Sequence, residues 1–214
     1  MALSESLRAH ARLPIRLCVV LLLVVVLTGA APPAGRLNWL LEVGPGVLEI
    51  AVLAWLYPRL PFSHFVYVCV FAHFLILTYG GYYTYALTPL GNWAMERFHL
   101  ARNHYDRVGH LALGFFPCFL ARETLLRCTP LPRGGWLVFL VLSVILAIGA
   151  FWELIEWWVT LIVAGNVGQA FLGSQGDPWD AQWDMFLALV GAAIGIALLS
   201  RKHDASMTHV PAAR

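Results

Sequence analysis

The chain has 214 residues, 60% of them hydrophobic and only 12% charged, with a mean hydropathy of +0.72. No water-facing surface absorbs that much apolar side chain, so a soluble globular domain is excluded. The net charge is +2 and the 13 arginines and one lysine are scattered, which leaves no basic face for nucleic acid.

A helix needs about 20 mostly apolar residues to cross a hydrocarbon core of about 30 Å, and backbone groups in lipid must bond internally. The sequence therefore predicts an all-α polytopic membrane protein of about six spans, one membrane domain over residues 1–214, with the lipid bilayer as its first partner. The first span, residues 14–30, follows Arg8, Arg12 and Arg16 and ends at Thr28-Gly29-Ala30, a pattern that also suits signal-peptide cleavage. The others are Asn38–Tyr57, Phe62–Tyr79, Arg107–Leu126, Gly135–Ala164 and Asp184–Ser200. Pro58-Arg59-Leu60-Pro61 makes a tight break, and the aromatic stretch from Gly80 to Asp106, amphipathic around Trp93–Leu100, suits the membrane surface. Cys18, Cys69, Cys118 and Cys128 lack CxxC spacing and read as packing residues.

Basic residues set the expected orientation. With the N-terminus inside, ten fall on the inner side (Arg8, Arg12, Arg16, Arg59, Arg122, Arg127, Arg133, Arg201, Lys202, Arg214) and four on the outer side (Arg36, Arg97, Arg102, Arg107). That asymmetry predicts both termini in the cytoplasm and, in a bacterium, an outer side facing the periplasm.

Sorted by depth, the polar residues of the spans gather at that outer side: His73, His104, Asp106, Arg107, His110, Glu153, Glu156, Asp177, Asp180 and Asp184. Asp106 and His110 are spaced i,i+4, Glu153 and Glu156 i,i+3, and Asp180 and Asp184 i,i+4, so each pair shares a helix face. These faces continue through small residues (Gly114, Pro117, Gly149, Ala188, Gly191, Gly195), which mark close packing of membrane helices and aim the acids into the bundle.

Six carboxylates against Arg102 and Arg107 leave four negative charges to offset. A divalent metal, protons retained on the carboxyls, or charged histidines would serve. Carboxylate with imidazole suits zinc, manganese or iron, and the candidate metal ligands are His104, His110, Glu153, Glu156, Asp180 and Asp184. No HExxH pattern is present, and a metal-free network of ion pairs is the alternative.

Several of these residues also have plainer readings. Asp177 fits an N-cap with Pro178 at the first helical position. Trp152, Trp157, Trp158, Trp179 and Trp183 read as an interfacial belt, His73 as a hydrogen-bonded packing residue, and Glu49 as an outlier near mid-membrane.

Four motifs occur in order: Gly80-Gly81-Tyr82-Tyr83-Thr84-Tyr85-Ala86 with Pro89-Leu90-Gly91; Arg102-Asn103-His104-Tyr105-Asp106-Arg107 with Gly109-His110; Glu153-Leu154-Ile155-Glu156-Trp157-Trp158; and Gly173-Ser174-Gln175-Gly176-Asp177 with Trp179-Asp180, Gln182 and Asp184-Met185. As a set, over about Leu60–Leu199, they resemble the YjdF-like bacterial inner-membrane family. That resemblance implies location and helical architecture and supplies no activity. Tyr82 stands where the family pattern implies His, and Leu113 where it implies Gln. The last two motifs are also loosely similar to VanZ-like membrane proteins.

Three functional readings follow. The first is a membrane hydrolase or transferase acting on an amphiphilic or lipid substrate, with Glu153, Glu156 and Asp184 at a metal or acid–base centre and Arg107 or Arg102 holding an anionic group. The second is a non-catalytic envelope or assembly factor whose charges lock helices together. The third is a proton-coupled transporter using Glu49, Glu153 and Glu156.

Overall fold

The computed structural model describes residues 5–163 and 166–211, without the side chains of Asn166 and Gln169. Ala164, the expected end of the fifth span, and Arg214, one of the inner basic residues, lie outside the described residues. The elements are α1 (Glu5–Ala30), α2 (Arg36–Leu56), α3 (His64–Tyr83), a 3₁₀ turn (Tyr85–Leu87), α4 (Pro89–Phe98), α5 (Tyr105–Phe115), α6 (Pro117–Cys128), α7 (Gly135–Ile162), α8 (Asn166–Leu172) and α9 (Asp180–Met207). Five of them, α1, α2, α3, α7 and α9, are long and apolar enough to cross a membrane.

The expected fourth span is not one helix. Pro117 has no N–H to donate to the carbonyl of Leu113 and its ring crowds that carbonyl, so the helix breaks at Phe116 into α5 and α6. Together the two still cover the length of the bundle. The α9 helix runs past the expected Asp184–Ser200 at both ends, and α1 begins well before residue 14.

The centre of the bundle is the crossing of α5 and α9, where backbones touch. A Cβ on Gly114 would overlap the carbonyl of Ala188, one on Gly191 would overlap that of Leu111, and one on Gly195 would sit 2.8 Å from the carbonyl of Phe115. Around this crossing Val66, Val70, Phe119, Val141 and Ile145 form a buried apolar layer joining α3, α6 and α7. The α1 helix lies at the edge against α3 and α2, with Leu23, Val26 and Leu27 exposed, as a lipid-facing helix must be.

Polar side chains collect at the two ends of the bundle, on either side of that apolar layer. One end holds the C-termini of α3 and α7 and the N-termini of α5 and α9; the other holds Glu123 on α6. The sequence reading anticipated the first and missed the second.

Candidate functional site

At the Asp106 end, two of the four motifs fasten to each other. Arg102 donates from Nη1 to Asp180 Oδ1 at 2.5 Å and to the Ser174 carbonyl at 3.0 Å, and from Nη2 to the Gly173 carbonyl at 3.3 Å. Gln175 accepts from the Asn103 N–H at 3.1 Å and donates to the Asn103 carbonyl at 2.8 Å. The Asn103 side chain donates to Asn92 at 2.8 Å and fills the space where any Cβ on Gly91 would stand. Arg107 donates to Asp177 Oδ2 at 2.6 Å, and its guanidinium lies 5.3 Å from the Trp183 ring centre. Both arginines are thus ion-paired, Arg102 with Asp180 and Arg107 with Asp177, while the Nε of each has no hydrogen-bond partner.

Beneath this layer, ligand atoms of Asp106, His110 and Asp184 lie within 4.8 Å of one another, all three residues buried. His110 Nε2 is 3.7 Å from Asp106 Oδ1 and 3.7 Å from Glu153 Oε1, too long for hydrogen bonds. His110 Nδ1, Asp184 Oδ1 and Glu153 Oε1 are buried without a hydrogen-bond partner. Beyond Asp106's 3.9 Å approach to Arg102, these carboxyls meet no arginine or lysine among the described residues. Unpaired acceptors at such depth are costly and call for a cation or a proton.

The structure redistributes the expected ligand set. His110, Asp184 and Glu153 converge, and Asp106 joins them. Asp180 is spent on Arg102. His104 stands at the head of α5 and is not one of the converging residues. Lying outside the spans, its imidazole is held below its usual pKa by burial and then by the charges of Arg107 and Arg102, against the opposing pull of Asp177.

A cavity of about 160 Å³ opens beside Asp106 and His110. Glu42 and Glu49 of α2, His73 of α3, Tyr85, and Glu156 of α7 also line it. Glu156 accepts from Trp152 Nε1 at 2.7 Å. His73 has no partner on either ring nitrogen, so it is not the hydrogen-bonded packing residue expected, and Trp152 faces the cavity instead of joining the exposed belt of Trp157, Trp158, Trp179 and Trp183. The Tyr85 ring is slotted between Gly80 and Gly109, where added Cβ atoms would approach it to 2.5 and 2.8 Å. Thr84 turns the chain there with φ 72°, a conformation costing a β-branched residue about 1–3 kcal/mol. Asp177 accepts from the Trp179 N–H at 2.9 Å, but α9 begins at Asp180, so the expected cap at Asp177 is a turn just ahead of the helix.

With this geometry in hand, the comparisons with known proteins are specific. The family described as "Predicted membrane protein (DUF2238)" matches residues 13–205. The inner membrane protein YjdF of Escherichia coli (strain K12) is 42% identical over 183 residues, 86% of this chain and 87% of the relative. The chain belongs to the DUF2238 family. It is an integral inner-membrane protein with several membrane-spanning helices. The DUF2238 match reaches into the first two spans, beyond the Leu60–Leu199 stretch that carried the resemblance. No solved structure matches the chain.

Sequence reasoning missed two parts of this DUF2238 architecture. Glu42 shares a helix face with Pro45, Gly46 and Glu49 through i, i+3, i+4, i+7 spacing, a signal that was available. At the opposite end, Glu123 is fully buried and accepts from the Ser63 N–H at 2.8 Å, Ser63 Oγ at 2.6 Å and Arg127 at 3.0 Å. His203 Nε2 lies 3.0 Å from the same carboxylate, while Arg122 donates to His203 Nδ1 at 2.9 Å and to Asp204 at 2.8 Å. An Nδ1 that accepts from Arg122 leaves the ring proton on Nε2, so His203 donates to Glu123. Every partner is satisfied, which marks this end as a structural lock.

Proposed function

We propose that Asp106, His110 and Asp184, with Glu153 beside them, hold a divalent cation, and that the centre hydrolyses or transfers a group on an amphiphilic substrate taken from the membrane. The observation that carries the reading is the convergence of three buried ligand atoms within 4.8 Å, with unpartnered acceptors around them and both neighbouring arginines already paired. Ligand atoms about a four-coordinate metal stand about 3.3–3.6 Å apart, so small rotations of these side chains would close the set.

A bound divalent ion would activate water and polarise a carbonyl or phosphoryl oxygen. The protein's own residues supply the rest. Glu153, 3.7 Å from the His110 ring, adds a further negative charge beside the centre, and Glu156, which accepts from Trp152, lines the cavity as the base. Pro45 and Ile148 line the cavity and are exposed on the outside of the bundle, which supports lateral access from the bilayer. Proton-coupled transport finds less support, because the apolar layer of Val66, Val70, Phe119, Val141 and Ile145 separates the polar ends.

Metal content of protein purified without chelator tests the reading. About one equivalent per chain is expected in the wild type and in Asp177→Asn, and none in a folded Asp106→Asn/Asp184→Asn variant. A wild type free of metal after supplementation with zinc, manganese or magnesium would overturn it.

A further inference from the structure

The cavity wall has a composition that the metal centre alone does not explain. Three carboxylates, Glu42, Glu49 and Glu156, line it in addition to Asp106, and no lysine or arginine does so among the described residues. Glu42 is 4% exposed, yet makes no hydrogen bond or ion pair among the described residues. His73, also 4% exposed, faces the same space with both ring nitrogens unpartnered.

Aromatic rings surround these acids: Tyr85, Trp152 and Phe171. Tyr85 is held rigidly by the two glycines that flank it, and the Trp152 and Phe171 ring centres are 6.0 Å apart. Carboxylates with aromatic faces and without competing cations recognise an ammonium group, by charge attraction and by cation–π contact. Away from Asp106 and His110, a phosphate or sulfate would be repelled by Glu42, Glu49 and Glu156, and neither Arg102 nor Arg107 lines the cavity to offset them.

The position in the bundle fixes the rest of the ligand. At a rise of about 1.5 Å per residue, Glu42 stands about 9 Å and Glu49 about 20 Å along α2 from its start, so the two acids lie on either side of the helix midpoint. Pro45 and Ile148 open the cavity sideways onto the apolar surface, where an alkyl chain would lie while the head turned inward.

We propose that the cavity between α2, α3, α5 and α7 binds the ammonium head of a single- or double-chain cationic amphiphile, with Glu42 and Glu49 as its counter-charges and Tyr85 and Trp152 as its aromatic walls. As an assignment of substrate class it rests on the metal-centre reading; as a binding site it stands without it.

The test uses full-length protein in a maltoside detergent and two submicellar probes of equal chain length, dodecyltrimethylammonium and dodecyl phosphate. Wild type binds the ammonium probe at least tenfold more tightly than the phosphate probe, and Glu49→Gln and Glu42→Gln each weaken it at least tenfold while retaining metal and monodisperse elution. Asp184→Asn loses the metal and keeps the ammonium preference, so failure of the metal reading and failure of this one are separable. Equal or reversed head-group preference in the wild type overturns the proposal even if a glutamate variant fails to fold, as does undiminished ammonium binding by a folded Glu42→Gln/Glu49→Gln protein.

Discussion

Arg102 Nη1 sits 2.5 Å from Asp180 Oδ1, so one guanidinium pins the segment before α5 to the first residue of α9. The pair is buried, with side chains 8% and 11% exposed. Truncating one partner leaves the other uncompensated, and Arg102→Ala is expected to lower stability by about 3–5 kcal/mol. Arg107, half-shielded at 21% exposure, should cost less when replaced by Ala. Thermal unfolding of both variants in detergent checks the order; an Arg107→Ala loss equal to that of Arg102→Ala would contradict it.

Glycines on the α9 contact surface differ in what they exclude. Gly114→Ala drives a methyl into the Ala188 carbonyl, backbone against backbone, and is expected to cost about 1–3 kcal/mol or more. At Gly149 the added Cβ would meet the Ala188 Cβ at 3.6 Å, an ordinary contact, and Gly149→Ala should be neutral or stabilise by up to about 1 kcal/mol. Melting temperatures of the two single variants decide it.

A ligand that binds only the folded state adds stability, about 2.7 kcal/mol at one hundred times its dissociation constant. Chelation of wild-type protein is therefore expected to lower Tm by about 5–10 °C, and to leave the Asp106→Asn/Asp184→Asn protein unchanged. A chelator-insensitive wild type would argue for a lock in place of a metal centre.

His104 supplies a pH signature. Its folded pKa lies below the ordinary value of about 6.5, so the unfolded chain binds the proton more readily. Stability from this group is complete above that ordinary value and is lost as pH falls through it toward the lower folded value. His104→Gln should flatten the dependence of Tm on pH just below about 6.5, and an unchanged slope would exclude His104 as its source.

Orientation is open to a direct check. The ten-to-four split of basic residues predicts that an alkaline-phosphatase fusion at Gly173 is active and one after Arg201 is silent. The reverse pattern would place the Asp106 end in the cytoplasm.

Legibility of the sequence followed the physics of each signal. Apolar length exposed the spans, and i,i+3 and i,i+4 spacing put Asp106 with His110 and Glu153 with Glu156 on shared faces. The break at Phe116 was marked by Pro117 but hidden by an apolar run that continues across it. Which carboxylates are free could not be read, because that depends on Arg102 reaching 78 residues along the chain to Asp180. Glu123 and His203 were invisible for the same reason: their pairing spans 80 residues, and each stands near basic residues that looked like a topology signal.

That lock also constrains the order in which the protein is made. Synthesis runs from the N-terminus, so Ser63 and Arg127 are available when α6 settles, but His203 on α9 emerges only after α7 and α8. Until it arrives, Arg122 and one edge of the Glu123 carboxylate await their partner, although α1 to α8 have already been made. The fold closes only when α9 has been threaded beside α5 and its tail has reached the far end, so a chain that stops short of His203 carries an unpaired charge that distinguishes it from a finished one.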